Sequence, residues 1–223
     1  MRKMKKTPII AIALILVLLL GGALLFEQFK WRIAAFSLRI PQPANPVVVE
    51  RNVMVPMSDG VRLAADVYRP DRVGKFPVIV TRTPYGKRNP DHKYELAGGL
   101  FASHGFVFIA QDVRGKYGSG GEFYPYVHEG RDGHDTFEWA GTQSWSNGKV
   151  GTYGFSYWGS TQWLSAPYQS KYLRAMVPIV TSQILYPRWV YNGIFRFNDV
   201  LFWHYENSCK THRKLEDIDV DQA

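Results

Sequence analysis

The segment Gly151-Thr-Tyr-Gly-Phe-Ser156-Tyr-Trp-Gly159 constrains this chain more than any other. A β-type run, Lys149 to Tyr153, meets a glycine, then a serine, then a stretch of helical character. A serine on so sharp a strand-to-helix turn adopts a strained backbone, and only small neighbours leave it room. Gly154 lies two residues before Ser156 and Gly159 three after it, a G-x-S-x-x-G spacing where the usual elbow is G-x-S-x-G. Taken alone, the segment also fits an ordinary βα turn, so its meaning rests on what surrounds it.

The formal net charge of +8 raises the question of nucleic acid, and its distribution answers it. Seven of the 27 bases and one of the 19 acids fall in residues 1–40, which leaves the remainder close to neutral. Nucleic-acid binding therefore has little electrostatic support. Within that basic start, Ile9 to Phe26 is an uncharged apolar run of 18 residues, preceded by Arg2, Lys3, Lys5 and Lys6. As a helix it would span about 27 Å, enough to cross a hydrocarbon core. Gly21-Gly22-Ala23 lies inside the run rather than after it, so the run reads as an uncleaved signal anchor rather than a removable signal peptide. The cationic residues 1–8 then stay in the cytoplasm and the remainder faces the extracytoplasmic side, or is secreted if the segment is cleaved. Cys209 is the single cysteine, which rules out an internal disulfide.

Residues 27–46 read as a juxtamembrane segment ending in the stiff spacer Pro41-Gln-Pro-Ala-Asn-Pro46, where a domain boundary is expected. Beyond it, Val47 to Met57 and Val61 to Tyr68 are strand-like and joined by Ser58-Asp59-Gly60, a hairpin signal. Phe76 to Thr81 and Phe106 to Gln111 are continuous apolar runs that suit strands buried on both faces of a parallel sheet. Helices are expected over Tyr94 to His104, closed by Gly105, over Glu129 to Gly141, and over Tyr157 to Tyr168. Leu173 to Val180 is one more apolar strand. The order predicts an α/β sheet with an antiparallel start. From Ile184 the chain becomes aromatic-rich and loses the alternation.

A serine hydroxyl needs a base, usually a histidine oriented by a carboxylate, and donors aimed at the developing oxyanion. On an elbow the first donor is the backbone N–H of the next residue, Tyr157. The second comes from the loop after the third strand, here Thr83-Pro84-Tyr85-Gly86-Lys87, and the Tyr85 phenol is the candidate. A rival constellation is His128, Asp132 and Asp135 on one helical face with His134 beside them, which would suit a metal. Acidic residues in a first helical turn also arise from the helix dipole alone, which is the plainer account.

The segments Pro56-Met-Ser-Asp-Gly-Val-Arg-Leu-Ala-Ala-Asp-Val-Tyr-Arg-Pro70, Thr83-Pro-Tyr-Gly-Lys87, Gln111-Asp-Val-Arg-Gly115, Ser119-Gly-Gly-Glu-Phe123, Asp132-Gly-His-Asp-Thr-Phe-Glu-Trp139 and Gly148-Lys-Val-Gly-Thr-Tyr-Gly-Phe-Ser-Tyr-Trp-Gly159 together carry a resemblance. Over residues 47 to about 190 the chain resembles the cocaine esterase / X-prolyl dipeptidyl peptidase (S15-type, CocE/NonD) serine hydrolases. That family's elbow is G-x-S-Y-x-G, which accounts for the spacing around Ser156. The resemblance implies an α/β-hydrolase fold with Ser156 as nucleophile, and the Tyr85 hydroxyl with the Tyr157 N–H as oxyanion hole. It implies no cofactor or metal, and a small-molecule ester or amide, or a short peptide, as substrate. It makes Asp112 and Arg114 a structural pair, and Asp132, Asp135 and Trp139 helix-start and packing residues.

In the hydrolase fold the acid and the histidine follow the serine on loops after later strands. Only Leu173 to Val180 is readable as a strand beyond Ser156, and the segment 184–223 looks like the start of the family's helical cap. Asp199 and His204 have the right order, but sit five residues apart in one helix-like segment; His212 and Asp217 have the reverse order. The expectation is an incomplete N-terminal part of a longer hydrolase, or a degenerate copy. Its last strand would be an apolar sheet edge open to pairing, with a homo-oligomer among the outcomes. An X-Pro dipeptidyl peptidase, and a non-catalytic membrane-anchored binding module, are the alternatives to an acyl esterase.

Overall fold

A computed structural model of the protein describes residues 7–182 and 189–209. The chain divides into two units, residues 1–43 and 44–223. In the first, a single helix, α1, runs Thr7–Leu38. At 1.5 Å per residue it is about 48 Å long, so it continues well past Phe26 through residues read from sequence as a juxtamembrane segment. Leu18 and Phe36, 73% and 80% exposed, are among the large apolar side chains it presents outward. Among the described residues no helix is long and apolar enough to cross a membrane. The anchoring reading therefore stands on the sequence, and residues 1–6 lie outside the described set.

The second unit is built on a six-stranded mixed sheet. Its strands are β1 (Val47–Pro56), β2 (Arg62–Pro70), β3 (Phe76–Thr83), β4 (Val107–Asp112), β5 (Ser146–Phe155) and β6 (Leu173–Ile179), in the order β1-β2-β4-β3-β5-β6. β1 and β2 form the expected antiparallel hairpin. Gly60 closes it at φ 88°, where a side chain would be strained, with its N–H donating to the Met57 carbonyl at 3.0 Å. β2 lies antiparallel to β4, whereas β3 runs parallel to both β4 and β5, and β5 parallel to β6.

β4 is buried along its whole length, as its continuous apolar run requires. Successive side chains of a strand point to opposite faces, so Val107 and Ile109 join one core while Phe108 and Ala110 join the other. Helix α3 (Glu129–Thr142) covers the first face through Phe137 and Ala140. Helix α2 (Tyr94–Ser103) covers the second through Tyr94 and Ala102, and there Tyr157 and Trp158 join it from α4 (Tyr157–Ser165). Each of the large apolar side chains among them, fully buried, contributes roughly 1.5–3 kcal/mol. α4 stops earlier than Tyr168 because Pro167 cannot continue the ladder, and a single 3-10 turn, Ala166–Tyr168, finishes the segment.

After β6 the described chain forms a short hairpin, β7 (Val190–Tyr191) with β8 (Ile194–Phe195), then α5 (Phe197–His204). Asn192 and Gly193 both take positive φ, 49° and 79°, the demand of the tightest hairpin turn. The loss of alternation read from the sequence thus hides an Asn-Gly hairpin. Of the expected cap, residues 184–188 and 210–223, with His212 and Asp217, lie outside the described residues.

Candidate active site

The sheet topology selects where a site forms. From β3 the chain crosses to β4 on one side; from β4 it crosses back over β3 to β5 on the other. Such a switch point opens a crevice at the carboxyl ends of the strands. Tyr85 lies two residues past the end of β3, and Ser156 one residue past the end of its neighbour β5. The topology therefore delivers both to the same edge of the sheet.

Ser156 takes φ 56° and ψ −125°, outside the ordinary wells for a residue with a side chain, between β5 and α4. Such strain persists only where the surroundings over-determine it, and they do. The Ser156 N–H donates to the Ile179 carbonyl of β6 at 2.9 Å, and its own carbonyl accepts from the N–H groups of Gly159 and Ser160. A Cβ on Gly159 would stand 2.7 Å from Thr181 Cγ2 and 3.1 Å from the Gly154 carbonyl oxygen, so the third position after the serine must stay small. Buried Gln162 ties the elbow together. Its Oε1 accepts from Thr152 Oγ1 at 2.8 Å and from the Val177 N–H at 3.1 Å. Its amide nitrogen reaches the carbonyls of Gly154, Trp158 and Val177 at 3.1–3.2 Å.

As the first residue of α4, Tyr157 has a backbone N–H with no carbonyl one turn earlier to bond. Its side chain is held deep in the fold. The phenol donates to Glu129 Oε1 at 2.7 Å and accepts from the Tyr126 N–H at 3.0 Å. Burial, with the Glu129 charge beside it, holds this phenol well above its usual range. Glu129 is itself buried against the Arg82 guanidinium at 3.0 Å. Burial pushes the Glu129 carboxyl upward against the pull of Arg82.

Ser156 opens onto a cavity of about 270 Å³ whose walls include Tyr126, Trp189, Arg196, Trp203 and His204. Tyr85 borders a neighbouring cavity of about 610 Å³ with Lys87, Asp112 and Tyr117. The two meet through rings: Tyr85 lies edge-on to Tyr157 with centroids 6.5 Å apart, and the Trp203 indole N–H donates to Tyr85 Oη at 3.2 Å. His204 lies at the end of α5 with Nδ1 2.8 Å from the Val200 carbonyl. A carbonyl only accepts, so Nδ1 carries a proton and Nε2 is the basic nitrogen of the neutral ring. The Asp199 side chain lies outside the described set.

One expected pairing is corrected. Asp112 ends β4 while Arg114 lies in the loop beyond it, and each has its own partner. Asp112 accepts from Lys87 Nζ at 2.5 Å and from the Lys87 N–H at 2.7 Å. Arg114 forks onto both oxygens of buried Asp132, at 3.0 and 2.6 Å, and reaches Asp59 at 2.8 Å. Asp132 is thus held by a guanidinium, and Asp135 accepts from the N–H and hydroxyl of Ser58 at 2.8 and 2.7 Å. Trp139 packs on Trp145 with ring centroids 6.1 Å apart. Among the described residues no three His, Cys, Asp or Glu gather as metal ligands.

Sequence reasoning missed Glu129, Gln162 and Trp203. The first two were visible only as polar residues at positions that helix period turns inward; nothing local to Trp203 announces a partner 118 residues away.

The chain is similar to known proteins. The family model described as X-Pro dipeptidyl-peptidase (S15 family) matches residues 59–223. A cocaine esterase of Rhodococcus sp. (strain MB1 Bresler) is 44% identical over 140 residues, covering 62% of this chain and 24% of the esterase. A CocE/NonD family hydrolase from Staphylococcus aureus superposes with a TM-score of 0.53 at 33% identity, over 58% of this chain and 27% of that one. An α-amino acid ester hydrolase superposes with a TM-score of 0.61 at 30% identity, over 74% of this chain and 30% of that one. The chain spans about a quarter of the length of these relatives. With a mixed α/β sheet like that of these hydrolases and a family match over most of its length, the chain belongs to the X-Pro dipeptidyl-peptidase (S15) family of hydrolases.

Proposed function

We propose that Ser156 is the nucleophile of a serine hydrolase that cleaves acyl esters or amides through an acyl-enzyme. The observation that carries this reading is the backbone of Ser156, strained at φ 56° between β5 and α4. Its Oγ attacks the substrate carbonyl carbon while a base removes the hydroxyl proton. The carbonyl oxygen becomes an oxyanion, received by the Tyr157 N–H and the Tyr85 hydroxyl. Collapse expels the alcohol or amine, which takes up the proton, and water then releases the acid and regenerates the hydroxyl. No hydrogen bond joins Ser156 Oγ to a histidine among the described residues, and we assign the base and its carboxylate to residues outside that set.

The cavity beside Ser156, walled by Trp189, Trp203 and Tyr126, offers flat apolar surface to an acyl group. Together with the esterase named among the relatives, this favours esters. Cleavage of X-Pro peptides is the second reading, favoured by the description of the matched family. Hydrolysis of an acyl ester compared with that of an X-Pro anilide separates the two. In either case Ser156→Ala in the full-length protein lowers turnover at least about a thousandfold; a variant that keeps its activity overturns the assignment. Residues 9–26, apolar throughout and preceded by four cations, are proposed to anchor the protein with its hydrolase unit on the extracytoplasmic side.

A further inference from the structure

Tyr85 is gripped at every point of its frame. Its N–H donates to Thr83 Oγ1 at 3.1 Å, its carbonyl accepts from Asn89 Nδ2 at 3.1 Å, and its ring stacks on His92 with centroids 4.9 Å apart. These contacts fix the ring. They do not set the rotation of the hydroxyl, which is a separate freedom and decides whether the phenol can serve as a donor.

Trp203 acts on that freedom. Its indole N–H meets Tyr85 Oη at 3.2 Å, and its ring is held nearly parallel to Tyr157, 11° apart with centroids at 5.5 Å. The same ring borders the cavity of Ser156. An indole N–H can only donate, so Oη must accept from it and keep its own proton for another acceptor. We propose that Trp203 is a positioning residue for Tyr85: it occupies one acceptor site of the phenolic oxygen, orients the O–H, and makes it a stronger donor. This rests on the reading of Tyr85 as an oxyanion-hole donor. The oxyanion hole then depends on α5, a helix that follows β6 in the chain. Seating α5 and completing the hole become one event.

A donor on Oη stabilises the phenolate more than the phenol, which makes the contact measurable without catalysis. The experiment follows the Tyr85 Cζ resonance of the full chain, carrying 13Cζ-labelled tyrosine, through an alkaline titration, with Tyr85→Phe assigning the signal. His92 in the 3-10 turn Pro90–His92, Tyr94 on α2, Tyr117, and Tyr157 on α4 are titratable rings around Tyr85, with Lys87 and Asp112 lining the same cavity, and all remain in the comparison. Trp203→Phe keeps an aromatic ring but removes the N–H. It is expected to raise the Tyr85 midpoint by about half a unit to one unit, the size of one hydrogen bond. The reciprocal reading is the Trp203 indole N–H resonance, which is expected to shift in Tyr85→Phe. An unchanged midpoint, or an unchanged indole resonance, overturns the proposal.

A kinetic arm adds the functional consequence. Trp203→Phe is expected to slow acylation of Ser156 by a fluorophosphonate several-fold in the parent, and to add nothing in Tyr85→Phe. Additive slowing overturns the idea that Trp203 acts through Tyr85. If Ser156 takes no label at all, the hydrolase reading fails, while the titration still decides the contact between Trp203 and Tyr85.

Discussion

The two walls of the Ser156 cavity are built by different means. The wall made by β5, α3 and α4 is buried and over-determined: Arg82 joins Glu129, Glu129 receives the Tyr157 phenol, and Gln162 binds both strands flanking the elbow. The wall made by residues 189–209 is held by ring stacking on Tyr126 and Tyr157, and by long-range hydrogen bonds that include Trp203 to Tyr85 and Lys116 Nζ to the Asn207 carbonyl. Large apolar side chains on this second wall, Phe197 and Phe202 among them, stand exposed. The difference teaches where each property resides. Strain at Ser156 is stored in the first wall, which must not yield. The second wall sets the donors and the shape met by a substrate, and so it governs fit.

The sharpest way to break this comparison is Arg82→Met. Arg82 loses its ion pair with Glu129 and its hydrogen bonds to Gln111 and the Glu129 carbonyl, leaving a buried carboxylate unpaired. Breaking a buried pair in this way costs about 3–5 kcal/mol. A urea titration is expected to show that loss; a change within experimental error would place the rigidity of the first wall elsewhere.

A smaller effect tests the second wall through pH. Burial lowers the Lys116 pKa to about 8, below its ordinary 10.5. Between those values the unfolded chain holds a proton that the folded chain has released, so stability due to this group rises with pH across that window. Lys116→Met is expected to flatten the rise in urea midpoint between pH 8 and 10.5. A slope as steep as that of the parent would remove Lys116 as its source. The smallest effect concerns His204, which lines the cavity of Ser156 and is bonded through Nδ1 to its own helix. His204→Ala is expected to leave the rate of Ser156 acylation unchanged, and a loss of labelling would make His204 the base.

The core was legible where local pattern and fold agree. β3 and β4 announce themselves as continuous apolar runs, because both of their faces are covered. β5 is longer than the run Lys149 to Tyr153 because Asn147 and Gly148, turn formers by type, lie inside the strand, with Gly148 at φ 74°. The elbow was legible because its strain imposes small residues at fixed offsets from Ser156. Partners were not legible. The resemblance implied that Asp112 and Arg114 form a structural pair, yet Lys87 and Asp132 hold them, and only the crossings of the sheet bring those residues near. Trp203 was invisible for the same reason. The Asn-Gly between β7 and β8 was a readable signal passed over amid so many aromatic residues.

The most direct measurement exposes the full-length protein to a fluorophosphonate and locates the adduct by peptide mass spectrometry. A single adduct on Ser156, absent from Ser156→Ala and from acid-unfolded protein, is the predicted result. A folded protein that takes no label, or takes it on another serine, would contradict the assignment of Ser156 as the nucleophile.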